Sequence, residues 1–188
     1  GFKNFYLSVN YLKEQIMNYF KDGKDLGVNI EYIVEPQPLG TAGSLQFLPN
    51  SIDKPFIVMN GDILTHFNPK QLLEFHCQNN ALATMCAREY ETNIPFGVVQ
   101  TNGIEFANFK EKPIIRHLVN AGIYIVNPSL LTLLPNESHF DMPDLLISAK
   151  KAGHKVIVCP INEYWIDIGR PETLKQADQE YNSLSKPH

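Results

Sequence analysis

The sequence predicts an α/β protein, and two observations on the order of its segments support this fold class. Up to Ala87, short apolar runs alternate with segments of helical periodicity, which is the pattern of a parallel sheet covered by helices. Beyond Pro95, residues 96–100 and 104–109 flank Asn102-Gly103, a strong signal for a β-hairpin. The sheet is therefore expected to be mixed, mostly parallel, with helices on both faces.

The first part of the chain supplies four predicted strands and three predicted helices. The strands are apolar runs too short for ordinary helices, at residues 5–9, 30–34, 55–62 and 81–87. Helical spacing or capping residues predict helices after Asn10, at residues 41–48 and after Asn68. This order places a helix between successive strands, as a parallel sheet requires.

The second part adds further strands and helices around the hairpin. Strands are predicted at residues 119–126 and 155–159, and a helix at residues 127–134. Another helix begins at Met142 and ends at Gly153, and a last amphipathic helix runs from Arg170 to about residue 181. Residues 1–184 are expected to form one domain, and residues 185–188 a frayed tail.

Composition excludes several function classes. The 188 residues carry 16 Lys and Arg against 20 Asp and Glu, a formal charge of -4, so no basic field attracts nucleic acid. No apolar run approaches the ~20 residues that span a bilayer. The three cysteines, Cys77, Cys86 and Cys159, are widely spaced and predict buried thiols in a reducing compartment, the cytoplasm.

Two aspartates are candidate metal ligands. Asp62 follows a predicted strand within Asn60-Gly61-Asp62, where Gly61 allows a turn and the close approach of a ligand. A carboxylate at a strand end suits Mg²⁺ that carries phosphate oxygens, although a Gly-Asp pair is also an ordinary turn. Asp167 lies in an apolar segment, where it either caps the helix that follows or pairs with a cation.

A proline- and glycine-rich loop at residues 35–44 precedes a predicted helix. Its prolines stiffen the chain, and its glycines let a ligand lie against the backbone. Backbone N–H and C=O groups displayed there could read the edge of a nucleobase. The alternative is a rigid connection between a strand and a helix.

Glu111-Lys112 follows the second strand of the predicted hairpin. The ammonium of Lys112 suits a phosphate, and the carboxylate of Glu111 suits sugar hydroxyls. Because consecutive strand residues face opposite ways, a shared ligand requires the strand to end or twist here, which Pro113 favours. The alternative is an exposed charge pair.

The order of these motifs resembles the sugar-1-phosphate nucleotidyltransferases, the nucleotide-sugar pyrophosphorylases. The resemblance runs from about residue 6 to residue 181 and rests on Pro-Leu-Gly-Thr-Ala-Gly, Asn-Gly-Asp, Pro-Phe-Gly-Val-Val, Glu-Lys-Pro, Asn-Ala-Gly-Ile-Tyr and Trp-Ile-Asp-Ile-Gly-Arg-Pro-Glu. It implies a Rossmann-like fold and the reaction of an NTP with a sugar 1-phosphate to give NDP-sugar and pyrophosphate. General likeness to the guanylyltransferase-type members favours guanylyl transfer over thymidylyl or uridylyl transfer.

The resemblance also assigns roles to individual residues. The family's base and ribose contacts fall on Gln37, Leu39, Gly40 and Thr41. Its Mg²⁺ aspartates fall on Asp62 and Asp167, with Gly61 beside the substrate. The sugar side of the pocket falls on Gly97, Glu111, Asn120 and Gly122, and the sugar phosphate on Lys112.

The sequence lacks one feature of that family, the early Gly-x-Gly-x-Arg-Leu loop that cradles the triphosphate. We therefore expect a fragment without its first βα units, inactive alone, whose open sheet edge would favour association between copies. Two other classes remain as alternatives: a non-catalytic regulatory domain that binds a nucleotide or sugar phosphate, and a carbohydrate-binding or scaffolding domain.

Overall fold

The computed structural model describes residues 1–136 and 138–184. Within these residues the chain forms ten strands and five α-helices. The strands are β1 (Asn4–Val9), β2 (Asn29–Val34), β3 (Phe56–Met59), β4 (Ile63–Thr65), β5 (Ala83–Asn93), β6 (Val98–Asn102), β7 (Glu105–Lys110), β8 (Ile114–Val126), β9 (Val156–Pro160) and β10 (Trp165–Asp167). The helices are α1 (Lys13–Phe20), α2 (Gly40–Gly43), α3 (Pro69–Gln78), α4 (Met142–Lys151) and α5 (Pro171–Leu184).

The chain divides into two compact units. The first unit contains Gly1–Phe56, Asn79–Ala83 and Val126–Val156, and the second contains Ile57–Gln78, Thr84–Ile125 and the chain from Ile157 onward. Each unit is assembled from segments that are far apart in the sequence. Composition could not reveal this division, because no linker separates the two.

In the first unit, β1 and β2 pair in parallel from Asn4 opposite Asn29 to Val9 opposite Val34. Helix α4 supplies four buried apolar side chains, at Met142, Leu145, Leu146 and Ala149. The helix predicted at residues 41–48 is instead the single turn α2 followed by a 3-10 turn, Ser44–Phe47. The helix predicted at residues 127–134 is a 3-10 helix, Pro128–Leu133.

The predicted cap of α1 is wrong. Leu12 occupies the N-cap position with a φ of 54°, and the Asn10 side chain instead donates a hydrogen bond to the Glu35 carbonyl over 3.0 Å. No residue of α1 is buried. The apolar spacing that predicted the helix is therefore not matched by burial of that face.

The second unit contains a four-stranded sheet in the order β3-β8-β5-β9. The predicted hairpin is confirmed as β6 and β7, with Gly103 at a φ of +61° in its turn. β4 and β10, which the sequence did not predict, form an antiparallel ribbon. Apolar side chains pack together in this unit, at Leu72, Cys86, Ala121, Ile123, Ile125 and Ile161.

The thiols differ in exposure. Cys86 is buried and Cys159 is half-buried, but Cys77 is exposed, so the prediction of buried thiols is wrong for Cys77. All three are free thiols, and burial raises the pKa of Cys86 to about 12. None of the helices formed by the described residues has the length and apolarity that a bilayer crossing requires.

A buried histidine makes the stability of the second unit depend on pH. His76 on α3 is 1% exposed, with Nδ1 2.8 Å from Thr84 Oγ1 on β5. Burial disfavours the charged imidazolium and lowers the pKa of His76. The unfolded chain therefore binds the proton more readily, so this stabilisation is complete above the unfolded pKa of about 6.5 and is lost as pH falls.

We expect the urea midpoint of the native protein to fall between pH 7.5 and pH 5.5. The His76→Gln variant should lose less over the same interval, because glutamine takes up no proton. His117→Gln, at an exposed position on β8, is the matched control and should keep the native slope. Equal slopes for the native protein and His76→Gln would show that His76 contributes nothing to the pH dependence.

Candidate functional site

The two candidate metal aspartates come together in the second unit. β3 ends at Met59, and Gly61-Asp62 form the turn that leads into β4. β10 runs antiparallel to β4, which places Asp167 opposite Ile63. Beyond the ribbon, the N–H of Ile168 donates to the Asp62 carbonyl over 2.8 Å. Two carboxylates more than a hundred positions apart in sequence are thereby held at one end of one ribbon.

Gly169 marks the point where the two carboxylates meet. The position that a Cβ would take at Gly169 lies 3.0 Å from Asp167 Oδ1 and 3.1 Å from Asp62 Oδ2. Both aspartates are exposed, and neither forms an ion pair with a basic residue in the described part of the chain. Two like charges near one point repel each other, and a cation between them would offset this repulsion.

This carboxylate pair fits a magnesium ion. Mg²⁺ is commonly held by one or two carboxylates, and water and substrate phosphates complete its shell. Among residues 1–136 and 138–184, no group of three or more His, Cys, Asp or Glu side chains could hold a metal. A donor set of two carboxylates would leave room for phosphate oxygens, unlike a closed structural site.

The hydrogen bonding of Asp167 and the backbone of Gly61 bear on the alternatives that the sequence left open for these two residues. Asp167 Oδ1 accepts the N–H of Gly169 over 2.8 Å, so it supports the backbone just before α5. Gly61 does not have a positive φ, and a Cβ there would meet open space. The protein itself therefore does not require glycine at position 61, and the approach of a ligand stays a prediction.

A kink in β8 lies beside the turn that carries Asp62. Gly122 has a φ of +68°, and its carbonyl accepts the N–H of Asn60 over 2.9 Å. The Asn120 side chain accepts the N–H of Gly122 over 3.0 Å and donates to the Tyr124 hydroxyl over 2.5 Å. Asn120 therefore supports the kink, and the predicted contact of its side chain with sugar would be additional to this role.

A third group of predicted residues lies at the open end of the hairpin. A Cβ at Gly97 would lie 2.3 Å from Phe109 Cζ and 3.1 Å from Glu111 Oε2, so the structure brings Gly97 and Glu111 together. β7 ends at Lys110, and Lys112 has a φ of 40°, which confirms that the strand ends before the Glu-Lys pair. Lys112 is exposed and has no ion-pair partner among the described residues.

The predicted nucleotide loop belongs to the first unit. The N–H of Thr41 donates to Asp141 Oδ1 over 2.9 Å, and the Thr41 hydroxyl accepts the N–H of Met142 over 2.9 Å. The Asp141 side chain thus binds an N–H at the start of α2, and the Thr41 side chain binds the first N–H of α4. This contact with the Thr41 N–H is the main reason that the pKa of Asp141 is lowered. The Thr41 N–H, one of the backbone groups that the sequence offered to a base, is therefore already used.

Glu35 fixes the start of the same loop. One of its carboxylate oxygens accepts the Ser8 hydroxyl, and the other accepts the N–H of Leu39 over 2.9 Å. Leu39 is buried, whereas Gln37 is exposed. Gly40 has a φ of +76°, and a Cβ there would lie 2.7 Å from the Phe140 carbonyl oxygen. The loop is therefore a rigid connection, and its exposed tip at Gln37 is left to contact a ligand.

Comparison with known families identifies the family of this chain. The model of the family described as nucleotidyl transferase matches residues 1–183. The chain belongs to this family. The predicted membership in the sugar-1-phosphate nucleotidyltransferases is thereby confirmed.

Curated relatives of this nucleotidyl transferase are fungal and animal enzymes. A mannose-1-phosphate guanyltransferase of Yarrowia lipolytica is 34% identical over 99% of this chain and 53% of its own length. A mannose-1-phosphate guanyltransferase of Candida albicans is 31% identical over the whole of this chain and 54% of its own length. The chain spans about half the length of the curated relatives it matches.

Solved structures confirm the predicted Rossmann-like α/β fold of the nucleotidyl transferase. A putative glucose-1-phosphate thymidylyltransferase of Bacillus anthracis has a TM-score of 0.72 at 16% identity. That likeness covers 97% of this chain and 78% of the other. At this identity the likeness concerns the fold alone.

Sequence reasoning missed two residues that hold the loop of this nucleotidyl transferase, Glu35 and Asp141. Asp141 occupies the N-cap position of α4, directly before Met142-Pro143. An aspartate just before a helix with proline in its first turn is a recognisable capping signal, and it could have identified Asp141. Its partner Thr41 lies a hundred positions away, which local sequence does not show. Glu35 has no sequence signal beyond its place at a strand end.

Proposed function

We propose that the protein transfers a nucleotidyl group from an NTP to a sugar 1-phosphate, releasing pyrophosphate. The observation that carries the proposal is the pair Asp62 and Asp167, which meet at Gly169 with no basic partner in the described residues. Family membership supports it, since the family's name describes nucleotidyl transfer. The names of the relatives support guanylyl transfer to mannose 1-phosphate as the finer hypothesis.

Asp62 and Asp167 would hold the Mg²⁺. When bound, the ion would neutralise phosphate charge, which carboxylates alone would repel. The sugar phosphate oxygen that attacks the α-phosphorus is already ionised at neutral pH, so the protein need not supply a general base. Its residues would act by orienting the two substrates and by excluding alternative geometries.

The sugar side of the site is assigned to the second unit. Glu111 would accept hydrogen bonds from sugar hydroxyls, and Gly97 beside it offers no side chain to obstruct them. The kink held by Asn120 and Gly122 would border the sugar, and Lys112 would bind its phosphate. The nucleotide base is assigned to the loop at residues 35–44, where Gln37 is exposed and Gly40 and Thr41 follow. The N–H of Leu39 already donates to Glu35 and its carbonyl accepts the N–H of Phe140, so Leu39 would support the loop.

A substrate panel tests the proposal directly. The complete gene product should release pyrophosphate when Mg²⁺, one NTP and one sugar 1-phosphate are supplied together, and the GTP and mannose 1-phosphate pair should be fastest. Omission of the sugar phosphate is the control, and it should abolish release. Binding of these ligands without turnover for any pair would favour the regulatory-domain alternative and contradict the proposal.

Lys112→Ala is expected to weaken binding of the sugar 1-phosphate by about tenfold or more, since a charged hydrogen bond to the phosphate is lost. Binding of the NTP alone should change little. Calorimetric titration of the two ligands separately measures both effects. Lys110→Ala removes the same charge from an exposed position on β7 and serves as the matched control. An equal loss for both ligands would contradict the role of Lys112.

A further inference from the structure

Trp165 connects the β4–β10 ribbon to the central strands of the second unit's sheet. Its indole Nε1–H donates to the Ala121 carbonyl on β8 over 2.8 Å. Its own carbonyl accepts Nη1–H of Arg88, on β5, over 2.8 Å. Strands β8 and β5 are the two inner strands of the sheet. A residue of the ribbon is therefore bonded to both.

Arg88 also contacts the aromatic ring of Trp165. The guanidinium carbon lies 5.8 Å from the ring centroid, within the range of a cation–π contact. Arg88 is half-buried and forms no ion pair with an acidic residue in the described part of the chain. A guanidinium that is partly removed from water loses hydration free energy. Its bond to the Trp165 carbonyl and its contact with the Trp165 ring offset part of this loss. Its contacts here are with Trp165.

The ribbon needs such anchors because it is short. β4 and β10 pair over three residues only, and isolated two-stranded ribbons are marginally stable. Trp165 and Asp167 are two positions apart on β10, so their side chains lie on the same face of the strand. A displacement of Trp165 would therefore be transmitted to Asp167 and alter its distance from Asp62.

We propose that Arg88 is a positioning residue for the metal site: it holds Trp165 against the sheet so that Asp167 faces Asp62. The inference rests on the proposed function, because it gives these two aspartates a common metal ion. Arg88 acts through Trp165 and is not assigned a contact with substrate. Neither motif order nor spacing pointed to it.

The test measures metal binding separately from turnover. Mn²⁺ is titrated calorimetrically into the complete gene product without substrates, and the Mg²⁺ concentration for half-maximal pyrophosphate release is then determined. Arg88→Met keeps an unbranched, mostly apolar stem but removes the charge and the donor. We expect it to weaken Mn²⁺ binding about tenfold and to raise the Mg²⁺ requirement in parallel. Arg88→Lys should recover most of the loss, because its ammonium can still donate to the Trp165 carbonyl.

Arg116→Met is the matched control, since it removes the same charge from an exposed residue of β8 that pairs with Glu91 over 2.9 Å. It should leave Mn²⁺ affinity unchanged. Trp165→Phe removes the bond to Ala121 and reduces the ring that Arg88 contacts. It should weaken Mn²⁺ binding several-fold, which provides a second measurement if Arg88→Met does not fold.

Three outcomes would overturn the proposal. Unchanged Mn²⁺ affinity in a folded Arg88→Met variant, with Asp167→Asn abolishing binding, would refute the role of Arg88 and leave the proposed function intact. A lower Tm with unchanged affinity would show that Arg88 is merely structural. Equal Mn²⁺ binding by the native protein and Asp167→Asn would remove the metal site itself, and both proposals with it.

Discussion

Replacement of Asp62 or Asp167 by asparagine is expected to lower turnover by about a thousandfold. Each substitution keeps the size of the side chain but removes one of the two charges that meet at Gly169. The bound metal would then be held by a single carboxylate, and the charge on the transferring phosphoryl group would lose several kcal/mol of stabilisation. Because each ~1.4 kcal/mol corresponds to tenfold in rate, a loss of three orders of magnitude follows.

Pyrophosphate release by the complete gene product, measured at saturating Mg²⁺ and substrates, gives the size of the effect. Asp53→Asn, in an exposed loop of the first unit, is the matched control and should keep native turnover. The double variant should lose little more than either single variant, since both residues serve one ion. Near-native turnover in a folded single variant would remove that aspartate from the metal site.

Gly122→Ala is expected to destabilise the protein by about 2–3 kcal/mol. An alanine at a φ of +68° costs about 1–2 kcal/mol in backbone strain. The added Cβ would also lie 2.9 Å from Asn60 Nδ2 and 3.1 Å from Asn60 Cγ, so the Asn60 side chain must move. For a chain of this size the Tm should fall by about 5–10 °C.

The chain offers a control that separates strain from crowding. Gly153 has a φ of +85°, but a Cβ there would meet nothing within 4 Å. Gly153→Ala should therefore lose only the strain energy, about 1–2 kcal/mol. Thermal unfolding of the two variants, followed side by side, gives the contribution of the Asn60 contact as the difference. Equal losses would mean that Asn60 moves aside without cost.

The sequence correctly predicted the elements that turn residues or helix-capping residues specify. The hairpin followed from Asn102-Gly103, α4 from its opening Met142-Pro143, and α3 from Asn68-Pro69, and all three are present. The strands β4 and β10 were missed because each has only three residues, too few to show a period. The strand β8 begins at Ile114, five positions before the predicted start, because its first residues are exposed and carry no signal of burial.

The site was predicted as a set of residues but not as a geometry. Asp62 was identified from its place at a strand end and Asp167 from its place in an apolar segment, and the structure places both at one ribbon. The use of the Thr41 N–H by Asp141 could not be foreseen, because it depends on two segments a hundred positions apart. The same holds for Arg88 and Trp165, whose contact joins residues 77 positions apart. Long-range pairing, not local propensity, decides which polar groups stay available to a ligand.

The β4–β10 ribbon, which carries the two carboxylates, also sets the order in which this part of the protein can fold during synthesis. The Thr65 hydroxyl donates to the Tyr164 carbonyl across 99 positions, so β4 leaves the ribosome long before its partner strand exists. At about 5–20 residues per second, the delay is roughly 5–20 s. Throughout that time β4 lacks its partner strand, and an unpaired strand edge can associate with other chains. Protection by a chaperone would be most valuable in this interval, and the proposed metal site would come into existence only after Asp167 has emerged.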